Sequence, residues 1–536
     1  MLRALRRPRP LSWGLAGLFA VLYACVAVNR HRRMLTQAYD LGIFEQAVRA
    51  YAHGEAPVVL LKGPGYQLLG DHFHPLLATL APLYRLFPSA VTLLLAQAVL
   101  MALAVVPLAR WAFEVGGPRL AALVGVLTGA SWGIVEAVAD DFHEIAFAVP
   151  LLAFAATALG RGRPVAAVLW ALPLVLVKED LGLTVAVVGA LVFARAGKGS
   201  GTRALGFGVA VFGLAATALT VLVVLPSFNP DGGFDYWGQM GTREAAGAPW
   251  ELAGRLVWPP LKWLLLGLAA ATAGFLGLRS PLVLLCAPTL GWRLAADNSH
   301  YWGVSYHYSA VLMPLLLAAL VDAVRRTGAF TGAGRVLGRA SGRVSGRVLA
   351  RGREAGADRA DRVAVRRARR ALAVAGLVAL VTLPVYPLHE LVAPGAWGTS
   401  PRLERARTML ARIPDGATVA ASNRLAAQLA GRTTVGLVCR ELSPPLVEPP
   451  VGSPSDGTLS TGTPPAGAVR GGAVRGGAVR GGAVRGGPDW VVVDLADPSV
   501  QAPCATADTL RMLDRYERLG YRRVVDDGDL RLLGRP

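Results

Sequence analysis

Five short stretches concentrate the side chains able to do chemistry. YDLGIFEQAV carries Asp40 and Glu45, and YQLLGDHFHP carries Asp71, His72 and His74. ADDFHEIAF carries Asp140, Asp141, His143 and Glu144, and VLVKEDLGL wedges Lys178, Glu179 and Asp180 between two apolar runs. DNSHYWGVSYHY brings His300, Tyr301, Tyr306 and His307 to the mouth of another apolar run. A carboxylate in a partly desolvated cavity has its pKa raised toward a base's working range. Lysine and histidine supply charge-assisted donors for a phosphate leaving group. Such a set suits inversion at an anomeric carbon, where one base removes or orients the acceptor proton opposite the leaving phosphate. Asp40 and Glu45 are the candidate catalytic acids. The remaining binding candidates are His72, His74, Asp140, Asp141, His143, Glu144, Lys178, Glu179, Asp180, His300, Tyr306 and His307. Residue type also admits a divalent metal ion on Asp40 with Asp140 or Asp141, although no spacing requires one. His72 and His74, two apart, would share one face of a strand and could bind metal.

Each cluster alone has an ordinary reading. Asp40 and Glu45 suit a solvated loop, Lys178–Asp180 a self-neutralising ion group, and DDFHE a set of helix-capping carboxylates. Their convergence is what carries weight, because a charge at mid-membrane costs roughly 2.5–3.5 kcal/mol and is tolerated mainly beside a cavity or a partner.

The elements that must position these groups are membrane helices. With 53% hydrophobic and 17% charged residues over 536 positions, the chain reads as a polytopic α-helical membrane protein. Apolar runs fall near 11–28, 86–109, 119–137, 145–160, 164–177, 181–194, 205–225, 260–278, 281–296, 308–324 and 371–388, predicting about 11 transmembrane helices. The Pro-broken segment 73–87 suits a re-entrant or interfacial piece. No small-residue cleavage site follows the first run, so that run stays as a helix with its amino end inside. The basic connections at Arg110, 161–163, 195–203, Arg279 and 325–370 then face inward, while RHRR at 30–33 runs against this order. All five clusters, and all eight histidines, fall outside.

The net charge of +20 is concentrated, since residues 325–370 hold 14 Arg against three acids. That is a positive-inside determinant in contact with membrane lipids, and nucleic-acid binding is excluded on this distribution. The domains read as 1–34 (cytoplasmic amino terminus and first helix), 35–324 (membrane core with a large first outer loop), 325–370 (basic cytoplasmic loop), 371–388 (last helix) and 389–536. The last is a small C-terminal extracytoplasmic α/β domain, with DWVVVDL as a buried strand and an Asp-Gly hairpin near the end. A repeat of Gly-Ala-Val-Arg-Gly units at 467–487 reads as a flexible insertion. Cys439 and Cys504 can pair if this region lies outside the cytoplasm; pairing and free thiols are equally open.

The motifs YDLGIFEQAV, GDHFHPLLATLAPLYRLFPS, DDFHEIAFAVPLLAFA, LVKEDLGL and SYHYSAVLMPLL, in this order, resemble an uncharacterised prokaryotic membrane-protein family, domain of unknown function 2079. That family in turn resembles the GT-C glycosyltransferase superfamily. The resemblance implies many spans, a catalytic acid in the first outer loop and a soluble carboxy-terminal domain. It also implies a polyprenyl-phosphate-linked sugar donor and an envelope glycan, lipid or protein acceptor. Asp40 matches the first-loop acid by position, within YDLG where better-known members carry an acidic pair. A transporter or flippase of a lipid-linked or small polar substrate, and a non-catalytic envelope-assembly scaffold, are the other readings the residues admit.

Overall fold

The computed structural model describes residues 8–234, 236, 254–330, 349–440, 487–497 and 504–536, and only the backbone of 349–361. The Gly-rich repeat up to residue 486 and the side chains of the arginine series from Arg335 to Arg351 lie outside the described parts.

In hydrocarbon a chain can satisfy its backbone N–H and C=O groups only within helices or a closed barrel. The apolar runs accordingly form helices. Among the described residues, four are long and apolar enough to cross a membrane by length and composition: Pro8–Arg32, Ala90–Ala139, Gly201–Phe228 and His307–Thr327. Five shorter apolar helices accompany them: Glu144–Gly160, Pro164–Leu176, Leu181–Arg195, Leu261–Thr272 and Pro281–Ala295.

The Ala90–Ala139 run holds 50 residues. Drawn straight it would measure about 75 Å, over twice the thickness of a hydrocarbon core. It folds back instead. Gly117, with φ 74° and Pro118 behind it, breaks the helix. The two arms then pack together, so that a Cβ on Gly125 would lie in contact with Ala109 and Val105 at 3.5 Å and would strike Leu15 of the first long helix at 2.6 Å. Helices Leu181–Arg195 and Gly201–Leu219 meet through small residues in the same manner: a Cβ on Gly189 would strike the backbone of Ala210, and one on Gly206 the backbone of Phe193. Small residues that let backbones touch are the usual means of helix association in lipid, where burial of apolar surface supplies little drive.

The segment 73–87 forms a 3₁₀ turn, Pro75–Leu80, followed by the helix Ala81–Leu86. The strand expected to carry His72 and His74 on one face does not form. Residues 72–74 are irregular ahead of Pro75, and nearby pairing is confined to a single bridge, Val58 to Gln67.

Beyond the long helix Leu349–Thr382, the chain builds one mixed sheet. Its strands are β1 (Thr418–Ala421), β2 (Thr434–Leu437), β3 (Trp490–Asp494), β4 (Arg522–Asp527) and β5 (Leu530–Gly534), in the order β2-β1-β3-β5-β4. β1 runs parallel to β2 and β3, while β5 is antiparallel to β3 and β4. Side chains alternate between faces along β3. Val491 and Val493 pack under the helix Thr506–Arg518 against Leu513 and Tyr516, and Val492 points to the opposite face. A disulfide joins Cys439 to Cys504 with the Cα atoms 5.5 Å apart.

The sheet sits directly on the segment that carries Asp40. From the helix Ile43–Ala52, Gln46 Nε2 donates to Val435 O (2.7 Å) and Arg49 donates to Ala430 O (3.2 Å) and Thr433 O (2.9 Å). The basic cluster at 30–33 is absorbed here as well. Arg30 pairs with Glu390 at 2.5 Å, and the Arg32 carbonyl accepts from Arg407 at 2.6 Å.

Candidate functional site

Asp40 follows the first long helix, in the π-helical turn Ala38–Gly42. Two anchors hold this turn. Asp141 Oδ2 accepts the Gln37 N–H (2.8 Å), and from the sheet side Asn423 Oδ1 accepts the Tyr39 N–H (3.2 Å). Asn423 Nδ2 also donates to Gln37 Oε1 (2.9 Å). The Asp40 carboxylate, 41% exposed, faces a cavity of about 280 Å³.

The DDFHE corner supplies the next wall. Gln97, on the helix Ala90–Leu103, donates to Ala137 O (3.1 Å) and accepts the His143 N–H (2.9 Å), which pins the corner. His143 Nε2 thereby lies 3.4 Å from Asp40 Oδ2 and 3.5 Å from Asp140 Oδ2. Asp140 Oδ2 also accepts the His307 N–H (2.9 Å) and lies 3.0 Å from His307 Nδ1. One carboxylate thus positions two imidazoles, whose centroids are 3.5 Å apart. Burial opposes a charge on His143, but Asp40 and Asp140 outweigh it and raise the pKa to about 9. Burial likewise opposes ionisation of Asp140, yet its bond with His307 and the nearby His143 ring hold it below the usual carboxylate range. Asp141 differs: burial, and then the charge of Asp140, push its pKa well up.

The KED corner hands its three charges to three partners. Lys178 Nζ donates to Glu144 Oε1 (2.6 Å). Glu179 takes His72 Nδ1 at 2.9 Å and the Phe73 N–H at 3.2 Å. Asp180 Oδ2 accepts Trp292 Nε1–H (2.9 Å). Burial works against the Lys178 charge, and the surrounding carboxylates overcome it and raise its pKa. Asp180 is lifted to about 6, first by burial and then by Glu179. Tyr236 donates to Asp71 Oδ1 (3.2 Å) and lies 2.9 Å from His72 Nε2. Asp71 is itself paired with Lys62 at 2.8 Å. Trp292, Tyr301 and Tyr308 form an aromatic side, with centroids 5.2 to 6.2 Å apart. Leu183, Thr217 and Val221 close the cavity with side chains from the apolar helices.

Of the residues singled out by sequence, Asp40, His72, His143, Glu144, Lys178, Glu179, Asp180 and His307 line this cavity, with Asp140 behind the histidines. The others lie elsewhere. Glu45 is buried where Tyr84 donates to its Oε1 (3.0 Å), beside Gly431. It serves the joint with the sheet. His74 is buried edge-on to Phe44 (5.7 Å), and Asp141 is committed to Gln37. His300 is exposed and turned to Asn298 (2.8 Å), and Tyr306 is exposed with its N–H toward Glu136 (3.4 Å). Trp292, Tyr308, Tyr236 and Thr217 were not singled out as site residues. The density of aromatic residues between 292 and 308 was the available signal for the first two.

Ligand atoms of Asp40, His143 and His307 lie within 4.8 Å of one another. Two imidazoles and one carboxylate are a recurrent divalent-metal set. Among the described residues, His143 Nε2 is buried without a hydrogen-bond partner. Asp140 stands behind His307 as the outer carboxylate that orients a ligating ring. The set therefore fits a divalent ion, although with two histidines in place of the expected Asp140 or Asp141.

A family model described as "Predicted membrane protein (DUF2079)" matches residues 30–444, a stretch that includes every residue lining the cavity. No curated protein matches the chain.

Proposed function

The chain belongs to the predicted membrane-protein family DUF2079, and from that premise we propose that it is a GT-C-type glycosyltransferase of the cell membrane. It takes a sugar from a polyprenyl-phosphate carrier and passes it to an acceptor outside. About eleven helices cross the bilayer, with the amino terminus inside and an extracytoplasmic carboxy-terminal α/β domain. The inward Arg-rich connections and the Cys439–Cys504 bond in the region assigned outside support this orientation.

The observation that carries the reading is the make-up of one cavity. It combines an accessible carboxylate (Asp40), cationic donors (Lys178, His72), an aromatic side (Trp292, Tyr301, Tyr308) and an edge of apolar helix side chains (Leu183, Val221). Aromatic faces and carboxylates suit a sugar ring and its hydroxyls, and the apolar edge suits a polyprenyl tail. In the reaction the acceptor oxygen attacks the anomeric carbon from the face opposite the phosphate. Asp40 accepts its proton, the bond from carbon to phosphate oxygen breaks, and the carrier leaves as polyprenyl phosphate. Lys178 and His72 stand ready for the charge gathering on that phosphate.

A divalent ion is a second element of this proposal. Among the described residues, four carboxylates line the cavity against one ammonium group and three imidazoles, so a phosphate entering it adds negative charge that calls for further positive charge. Asp40, His143 and His307 would hold the ion, which would add positive charge to the cavity and help orient and acidify the acceptor hydroxyl beside Asp40. The test is a membrane preparation given radiolabelled polyprenyl-phosphate sugars and candidate acceptors. Label appearing in the acceptor supports the reading. Substrate flux in proteoliposomes without any transfer overturns it in favour of a transporter.

A further inference from the structure

Helices Glu144–Gly160, Leu181–Arg195 and His307–Thr327 each start beside the carboxylate cavity and end beside a second one, of about 540 Å³. Among the described residues its charged lining is Arg161, Arg163, Arg195, Arg325, Arg326 and a single acid, Glu114. The acids at hand do not balance the guanidinium groups. Arg161 pairs with Glu114 at 3.0 Å, while Arg325 and Arg326 share the buried Asp322 at 2.8 and 2.6 Å. Asp322 is also bound by Ser280, which donates to its Oδ2 at 2.7 Å. Arg195 is turned to the Leu159 carbonyl at 2.9 Å. Two carboxylates thus face five guanidinium groups among the described residues. Among the described residues, Arg161 Nε is buried with no acceptor, a state that is expensive for an N–H donor unless a ligand supplies one.

We infer that this cavity is a binding site for the phosphate of an anionic phospholipid headgroup. Phosphate matches the planar fork of arginine and supplies the acceptor that Arg161 lacks. The site's height favours a lipid over a free anion. The helix His307–Thr327 has 21 residues, about 31 Å of rise, so Arg325 and Arg326 stand close to one hydrocarbon thickness from His307. Basic pockets between helix ends at that level are suited to anionic headgroups. The site lies away from the Asp40 cavity, with a ligand chemistry of its own.

The test uses the full-length protein, purified in detergent, with lipid adducts counted by native mass spectrometry. Phosphatidylglycerol and cardiolipin are expected to be retained at concentrations where phosphatidylcholine is not. R163Q/R325Q should bind the anionic lipids about thirtyfold more weakly. Equal retention of phosphatidylcholine, or unchanged binding by the double variant, would overturn the inference. Millimolar inorganic phosphate or glycerol 3-phosphate should leave the lipid in place. Displacement by either would assign the pocket to a soluble phosphate compound and overturn the lipid assignment. Should the double variant fail to fold, the wild type decides: anionic lipid should raise its melting temperature above that in phosphatidylcholine, and no rise counts against the site.

Discussion

The Tyr39 N–H donates to Asn423 Oδ1 at 3.2 Å, bridging 384 positions of sequence, and Asn423 Nδ2 returns a bond to Gln37 Oε1 at 2.9 Å. The helix that joins β1 to β2 therefore grips the turn carrying Asp40. A sheet built from residues nearly 400 positions later in the chain sets the position of the proposed base. Asn423→Ala removes both bonds and should lower the transfer rate about 10- to 100-fold with donor KM changed less than about twofold. Steady-state kinetics decide it. An unchanged kcat would remove Asn423 as a positioning residue.

Glu45 makes the same joint sensitive to pH. Burial raises its pKa from 4.5 to about 7, only partly offset by the Tyr84 hydrogen bond and Arg49. The folded state favours the protonated acid. Its contribution is thus complete below pH 4.5 and is lost as pH rises through about 7, on the order of 3 kcal/mol in all. Glu45→Gln mimics the protonated acid. It should flatten the pH dependence of melting between 5 and 8 and raise the melting temperature at pH 8. A variant whose melting follows pH as the wild type does would contradict this.

The disulfide bridges 65 positions, closing a loop that leaves β2, contains β3 and ends just before the helix Thr506–Arg518. Cys504→Ser should cost the carboxy-terminal region about 2–5 kcal/mol. Hydrogen exchange over β1 to β3 would rise accordingly. In the unreduced wild type, a maleimide should reach neither Cys439 nor Cys504, and reduction should expose both. Labelling before reduction would show that the bond is not formed.

Membrane helices were legible in sequence because apolar runs of this length have few alternatives in composition. The Asp40, DDFHE and KED groups were legible because charge beside apolar runs is costly unless something nearby uses it. Pairings were not legible. His72 meets Glu179 across 107 positions and Lys178 meets Glu144 across 34, and only packing brings them together. Glu45 looked like a second catalytic acid because its burial against Tyr84 and Gly431 depends on a sheet nearly 400 residues later. His72 and His74 diverge because no strand forms to align them. Trp292 and Tyr308 were hidden for the opposite reason, since an aromatic residue near an apolar run looks like core.

A divalent ion on Asp40, His143 and His307 makes transfer sensitive to chelation. EDTA should lower activity at least about tenfold, with recovery on adding Mg²⁺ or Mn²⁺. Asp140→Asn, which weakens the support of His307, should raise the half-activating metal concentration about 10- to 100-fold. Activity indifferent to EDTA would exclude the ion and leave Asp40 acting alone.

The central claim is that Asp40 is the acid/base centre of sugar transfer, and one comparison tests it most directly. Wild type and Asp40→Asn are assayed for transfer of labelled sugar from the polyprenyl-phosphate donor, with donor binding measured in parallel. The account predicts a fall in kcat of about 10²–10⁴-fold with donor binding, measured at saturating Mg²⁺, kept within about threefold. Transfer by Asp40→Asn at the wild-type rate would contradict it.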